Sequence, residues 1–385
     1  MLAAISLRTP VGSLPPVVDE VSADLDLSAA AAGLLTTAPV LCFGLFAPAA
    51  PLLARRLGGE RVLLVALVPI VLGLLLRGVG AASALFAGTL LAGAGIAVGN
   101  VIVPAVLKGR FGTRVGLLTG LYTAALSGGA ALAAGLTVPI SQALDLDWPA
   151  ALAVWAAPAV VALAVLAAAL ARTGGRARTE PGSSGAARLL GEALAWQVTV
   201  FMGLQSLVFY ACLAWLPSIL RDDGYRAESA GALLALYAVA GIPASLLVPI
   251  AAARAATQRP LVTLMTAAMA AGLCGLLLAP EAAVVWVALL ATAQGGAFGL
   301  ALTLIVLRSP DPRRAAELSG MAQAIGYGLA AAGPLTVGVL RDATGTWTAP
   351  LVLLLALTVP LLAAGLGAGR DRFVAAGDTP ARVTP

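Results

Sequence analysis

The chain opens MLAAISLRTPVGSLPPVV, and Arg8 is a permanent cation set among Leu, Ile, Val, Ala, Gly and Pro. Its guanidinium is a planar fork of donors that fits a carboxylate or another small oxyanion. The ordinary partner would be Asp or Glu, yet none of the eighteen acidic residues falls in the middle of an apolar run; Glu60, Glu192 and Glu317 sit in terminal turns and the rest in loops or tails. Two readings compete. Either the missing anion is a ligand, or Arg8 snorkels to the nearby surface or takes carbonyls freed near Pro10 and Pro15.

Uncharged polar side chains recur in equally apolar surroundings: Asn100, Tyr122, Thr123, Gln205, Tyr210, Gln294, Gln323 and Tyr327. Gln205 and Phe209, Ser206 and Tyr210, Gln294 and Phe298, and Gln323 and Tyr327 are each four apart, so each pair shares one side of a helix. For every one of these residues, lining a solute path competes with plain interhelical hydrogen bonding, worth about 0.6 kcal/mol on average. Other chemistry is poorly supplied. There is no histidine, Cys42, Cys212 and Cys274 fall inside apolar runs as buried free thiols, and no phosphate-loop pattern occurs. No cofactor or metal is expected, and a membrane-embedded enzyme would lack a nucleophile with its base, a close carboxylate pair or an appended catalytic domain.

The elements that position these residues follow from composition. With 60% hydrophobic and 11% charged residues over 385 positions, and a mean hydropathy of +0.99, the chain lies outside the range of soluble domains. About 20 mostly apolar residues cross a bilayer as a helix. Such runs lie near residues 29–54, 61–80, 83–107, 115–140, 149–171, 194–220, 229–253, 260–280, 282–307, 315–340 and 349–369, and the opening segment makes twelve. They are continuous rather than alternating, which favours helices over barrel strands. The expected fold is an all-α membrane protein of twelve transmembrane helices.

Basic residues set the orientation. Alternate loops carry Arg55, Arg56 and Arg61, then Lys108, Arg110 and Arg114, then Arg172, Arg176, Arg178 and Arg188, then Arg254 and Arg259, then Arg308, Arg313 and Arg314. The opposite loops hold Arg77, Arg221, Arg226 and Arg341 and are weighted toward acidic residues. By the positive-inside rule both termini are cytoplasmic. Topology thus accounts for the net charge of +5, and no nucleic-acid partner is expected. Trp148 and Trp215 are expected near the outer interface, as members of an aromatic belt.

RTGGRARTEPGSSGAARLLGE, residues 172–192, has the composition of a flexible linker and divides the helices six and six. The halves align at a constant shift of 200: Gly95 on Gly295, Gly99 on Gly299, LTG at 118–120 on LSG at 318–320, Gly128 on Gly328, and Ser6-Leu7 on Ser206-Leu207. The expected division is an N-terminal half at 1–171, the linker at 172–192, a C-terminal half at 193–370 and a tail at 371–385. By the same shift the first helix lacks its opening turn or two, which points to a longer natural chain, since about 17 residues from Leu2 to Val18 only just span the core. Arg8 then lies about 15 to 20 Å from the outer end, close to the midplane. Parallel six-helix repeats around a midplane site are the major facilitator architecture. The glycines of the fifth helix, Gly116, Gly120, Gly128 and Gly135, are read as a packing face.

GAGIAVGNVIVPAVLKGRF (Gly93 to Phe111), LTTAPVLCFGLFAPAAPLLARRLG (Leu35 to Gly58), GLLTGLYTAALSGGAALAAGLTVP (Gly116 to Pro139) and QSLVFYACLAWLPSIL (Gln205 to Leu220) resemble the cyanate and 2-nitroimidazole transporter family (CynX, NimT) of the major facilitator superfamily. Where that family's first helix usually reads Asn-x-Arg-Pro, this chain has Ser6-Leu7-Arg8-Thr9, and Arg55 stands where the broad superfamily commonly has Asp. The resemblance implies alternating-access transport, with the first, fourth, seventh and tenth helices bordering the cavity. It favours Arg8, Asn100, Gln205, Tyr210 and Gln294 as lining residues, with Tyr122, Gln323 and Tyr327 at similar depth. The expected function is secondary active or facilitative movement of a small anionic or polar solute, cyanate-like or a small carboxylate. The alternative is efflux of a neutral heteroaromatic compound stacked on Tyr122, Tyr210 and Tyr327. The partners expected are that solute and membrane lipid, the chain acting as a monomer in the bacterial inner membrane.

Overall fold

A computed structural model describes residues 1–111, 114–173 and 186–375, and the described residues are helical with short connections. Ten helices among them are long and apolar enough to cross a membrane. They are Gly59–Arg77, Ala82–Phe111, Val115–Leu144, Trp148–Arg172, Ala193–Asp222, Glu228–Arg254, Arg259–Leu278, Pro280–Leu307, Pro312–Thr344 and Thr348–Ala368. A bent pair, Ala38–Phe46 with Ala49–Leu57 at 53°, makes an eleventh span. The bend falls at Pro48, whose missing N–H and ring interrupt the helical ladder. Several helices overrun the apolar stretches because their polar ends project beyond the hydrocarbon. The linker expected over 172–192 lies largely outside the described residues.

The first span is broken into Leu2–Ser6, Thr9–Gly12, a 3₁₀ turn at Pro15–Val17 and Val18–Asp24. It thus continues six residues past the expected end at Val18. Pro10, Pro15 and Pro16 cannot donate to the ladder, and Arg8 sits at the first break as the residue capping Thr9–Gly12.

The 200-residue shift is visible in the geometry. The third and ninth spans begin at Gly59 and Arg259, and the sixth and twelfth at Trp148 and Thr348. The fifth and eleventh end at Leu144 and Thr344, each capped by a left-handed residue, Asp145 (φ 51°) and Gly345 (φ 70°). Small residues let helices approach within each half: a Cβ on Gly73 would stand 2.7 Å from the Ala92 nitrogen, so the third and fourth spans meet backbone to backbone.

The halves meet at the end bearing the basic loops. Gly116 of the fifth span faces the Pro249 carbonyl of the eighth, with a Cβ position 2.8 Å away, and Gly120 faces Leu246. Their counterparts lie on the other side of the pseudo-twofold: Gly320 of the eleventh span meets Pro51 at 2.8 Å and Ala47 at 3.8 Å. The Thr123 hydroxyl donates to the Ser245 carbonyl across the same seam. Toward the other end, Gly128 and Gly328 have no atom within 4 Å of their Cβ positions. The packing role expected of the fifth-span glycines therefore holds for Gly116 and Gly120. Gly128 and Gly135 meet open space.

Candidate functional site

Arg8 lies where the two halves face each other. Its guanidinium carbon is 5.4 Å from the ring centre of Phe43 in the second span and 5.8 Å from that of Phe298 in the tenth. An aromatic ring from each half thus accompanies the cation, an attraction of about 2 kcal/mol where water is excluded. The hydroxyls of Tyr210 and Tyr327 are within hydrogen-bonding reach and Tyr122 is close by. A phenol oxygen that accepts from Arg8 keeps its own O–H to donate onward. Among the described residues no carboxylate pairs with Arg8, and no main-chain carbonyl accepts from its guanidinium. Arg8, Tyr210 and Phe298 are half-buried.

The remaining expected site residues are more enclosed. Tyr122 and Tyr327 are buried; the Tyr122 hydroxyl donates to Asn100 Oδ1 at 3.2 Å, and the Tyr327 ring packs on Phe43 with centroids 5.3 Å apart. Gln323 Nε2 donates to the Asn100 carbonyl at 3.1 Å and to Ser319 Oγ at 2.9 Å, a polar tie between the eleventh and fourth spans. Asn100 Nδ2 is buried with no acceptor. An unpaired buried donor beside the site is uncommon and costs about 1–3 kcal/mol.

Gln205 and Gln294 are buried as well. Gln205 Nε2 donates within its own helix, to the Met202 carbonyl at 3.1 Å and Ser206 Oγ at 2.6 Å. Gln294 reaches from the tenth span to the seventh: its amide nitrogen donates to the Gln205 carbonyl and its oxygen accepts from the Phe209 N–H, both at 3.1 Å. Those two backbone groups are i and i+4, the pair that an uninterrupted helix joins directly. Gln294 therefore engages the ladder of the seventh span one residue before Tyr210, and the Tyr237 hydroxyl bonds the Phe209 carbonyl at 3.4 Å just beyond.

Two expectations need correction. Arg77 is not a loop residue but is 1% exposed, its Nη1 donating to the Pro10 carbonyl at 2.6 Å and its Nε to Thr89 Oγ1 at 3.1 Å. The broken first span leaves main-chain acceptors open, and Arg77 folds back to meet one. Trp148 is buried and donates to Asp24 at 2.9 Å, and Trp215 donates to the Pro334 carbonyl at 2.8 Å while its ring packs on Trp347. Both tie helices together rather than forming a lipid-facing belt. The start of the tail is docked: Val374 N donates to the Arg308 carbonyl at 2.8 Å and Ala375 N to Glu192 Oε2 at 3.0 Å.

Phe43 is the contributor that sequence reasoning missed; one Phe in an apolar run carries no signal of what it faces. No group of three His, Cys, Asp or Glu converges among the described residues.

The sequence profile of the Major Facilitator Superfamily matches residues 1–334. The chain is 41% identical over 373 residues, 96% of its length and 92% of the relative's, to the uncharacterized transporter YycB of Bacillus subtilis (strain 168). It is 37% identical over 377 residues (97% and 95%) to the 2-nitroimidazole transporter of Escherichia coli (strain K12). It is 33% identical over 349 residues (90% of each) to the cyanate transport protein CynX of the same organism. Among solved structures, the proton:xylose symporter XylE superposes with a TM-score of 0.77 at 15% identity, covering 94% of this chain and 92% of that one. That likeness concerns the fold.

Proposed function

Because this chain belongs to the Major Facilitator Superfamily, as a multi-pass membrane transporter with two parallel six-helix repeats, we propose that it carries a small monoanion bound at Arg8. The observation that carries this reading is a cation between the halves with no carboxylate partner among the described residues. It is flanked by two aromatic rings and by tyrosines whose O–H groups can still donate. A cation in the membrane interior costs several kcal/mol, roughly 2.5–3.5 by insertion scales, unless it faces a partner or a water-filled cavity. A small anion supplies the partner. It receives the open edge of the guanidinium, the Tyr210 and Tyr327 hydroxyls and, for a solute with a second acceptor, the Asn100 amide.

Cyanate and short carboxylates fit this donor set. The relatives named for cyanate and for 2-nitroimidazole bracket the alternatives: a small linear anion, or a planar heteroaromatic stacked on the same rings. The full reading assigns residues 1–171 and 193–370 to the two moving halves, joined by the linker at 172–192 and followed by the tail at 371–385. It places both ends on the cytoplasmic side of the bacterial inner membrane, as the basic loops require. The protein works as a monomer that moves its solute without chemical change, and so is not an enzyme. The test is a thermal-stability screen of the purified protein and Arg8→Gln against cyanate, nitrite, acetate and 2-nitroimidazole. Stabilisation by an anion in the native protein alone supports the assignment. Equal stabilisation of both proteins by 2-nitroimidazole, with no response to any anion, replaces it with the heteroaromatic reading.

A further inference from the structure

Two buried or half-buried arginines in this fold are satisfied in opposite ways. Arg77 is 1% exposed and fixed within one half, its donors taken by the Pro10 carbonyl and Thr89. Arg8 is half-buried and lies between the halves, and no carbonyl or carboxylate among the described residues accepts from its guanidinium. What surrounds Arg8 is two ring faces and neutral hydroxyls. The arrangement in which Arg77 sits needs no ligand at any stage of transport. Arg8 keeps part of its surface exposed, and a cation so placed is tolerable while it faces a partner or water.

The seam at the basic end shows what closure entails. There, helix backbones touch through Gly116, Gly120 and Gly320, and the Thr123 hydroxyl bonds across to Ser245. By the pseudo-twofold, closing the opposite end would bring the outer part of the fifth span, around Gly128, into similar contact; on the other side Gly328 already lies against the second span, its nitrogen 3.5 Å from a Cβ placed on Gly44. Arg8 would then be sealed from water on both sides, and an unneutralised charge in such a place is strongly disfavoured. With a monoanion bound, the enclosed pair is neutral overall.

Resting on the anion reading, we infer that the halves close around Arg8 only when it holds an anion, so that the protein is an exchanger: one monoanion carried inward for one carried outward. The empty carrier is held at either open face because its return would enclose a bare guanidinium. No proton need bind the protein, and one-for-one exchange moves no net charge.

The experiment uses the full-length purified protein in proteoliposomes, with ¹⁴C-cyanate and ¹⁴C-benzoate as separate external probes. One set of vesicles contains the same unlabelled anion, the other only gluconate, and potassium with valinomycin holds the potential at zero. Exchange predicts that label enters the anion-loaded vesicles at least about tenfold faster, and that an imposed potential of about 100 mV, which would bias a net charge movement by about 2.3 kcal/mol, changes that rate by less than about twofold. Equal uptake into both sets, or accumulation in gluconate vesicles driven by a proton gradient, overturns the inference while leaving anion transport standing. Failure of both probes to enter either set overturns the anion reading, and exchange with it. Arg8→Gln, checked as monodisperse and thermally stable, is expected to take up neither probe into either set of vesicles; retained tenfold trans-stimulation shows that the charge at Arg8 neither holds the anion nor prevents the empty return.

Discussion

Gln294→Leu separates a positioning role from simple packing. The substitution removes two bonds between the tenth and seventh spans, at 3.1 Å each. Side-chain bonds between membrane helices average about 0.6 kcal/mol, so about 1.2 kcal/mol is lost. Against that, Gln205 and Phe209 lie one turn apart in an unbroken helix, whose i to i+4 ladder persists without the side chain, so neither backbone group is left unpaired. Leucine also suits a position that is buried in apolar packing. The net change in stability is therefore within about 1 kcal/mol of zero. Affinity behaves differently. Without Gln294 the tenth span no longer holds the seventh one residue before Tyr210; Tyr210 is then expected to leave Arg8, and losing a hydroxyl bond to a charged group is worth about 1.5–3 kcal/mol, or roughly a 10- to 100-fold weaker Kd. Calorimetric titration with cyanate reads the affinity, and unfolding in mixed SDS micelles reads the stability. Gln205→Leu is the control, because the Gln205 side chain bonds only within its own helix and its carbonyl survives the substitution. A Gln294→Leu protein that loses more than about 3 kcal/mol of stability yet binds cyanate as the native protein does refutes the argument.

Other substitutions probe the site and its frame. Arg8→Lys keeps the charge but loses the planar fork and its ring contacts, so cyanate affinity falls by about tenfold, whereas Arg8→Gln abolishes it; the same titration distinguishes them. Glu317→Gln removes the carboxylate shared by Arg313 and Arg314, the latter 1% exposed, and is expected to destabilise by about 3 kcal/mol in the same unfolding assay. Glu60→Gln breaks an ion pair with Arg110, which is 46% exposed, and changes stability by less than about 1 kcal/mol. Gly320→Val wedges a side chain against Pro51 at the closed seam. In a background lacking the native cysteines it should raise labelling of Ser319→Cys by an impermeant thiol reagent added from the basic-loop side.

The helical frame was legible because it rests on two robust signals. Apolar length gave the spans, and a fixed shift of 200 gave their duplication; the structure adds the paired caps at Asp145 and Gly345. The glycines matched by that shift, Gly120 and Gly320, turned out to be equivalent contacts where the halves meet. Arg8 was legible too, since a charge in an apolar run stands out by its energy alone. Direction was not. Spans that are apolar nearly all round have no polar face to orient them, so the sequence revealed the depth of a polar side chain but not which neighbour it meets. Gln294 was recognised as a polar position, yet its partner is the backbone of another helix, which no side-chain pattern encodes. Phe43 was invisible for the converse reason, because an aromatic ring suits lipid, a helix or a guanidinium equally well by composition. Arg77 was misread as a loop residue because it lies at the end of its span, and only the proline-broken first span explains why it turns inward. The two arginines together show what sets one setting apart from the other here: both are cations in an apolar environment, but Arg77 is bonded inside a single half, and Arg8 lies between the halves against Phe43 and Phe298 with no carboxylate partner among the described residues.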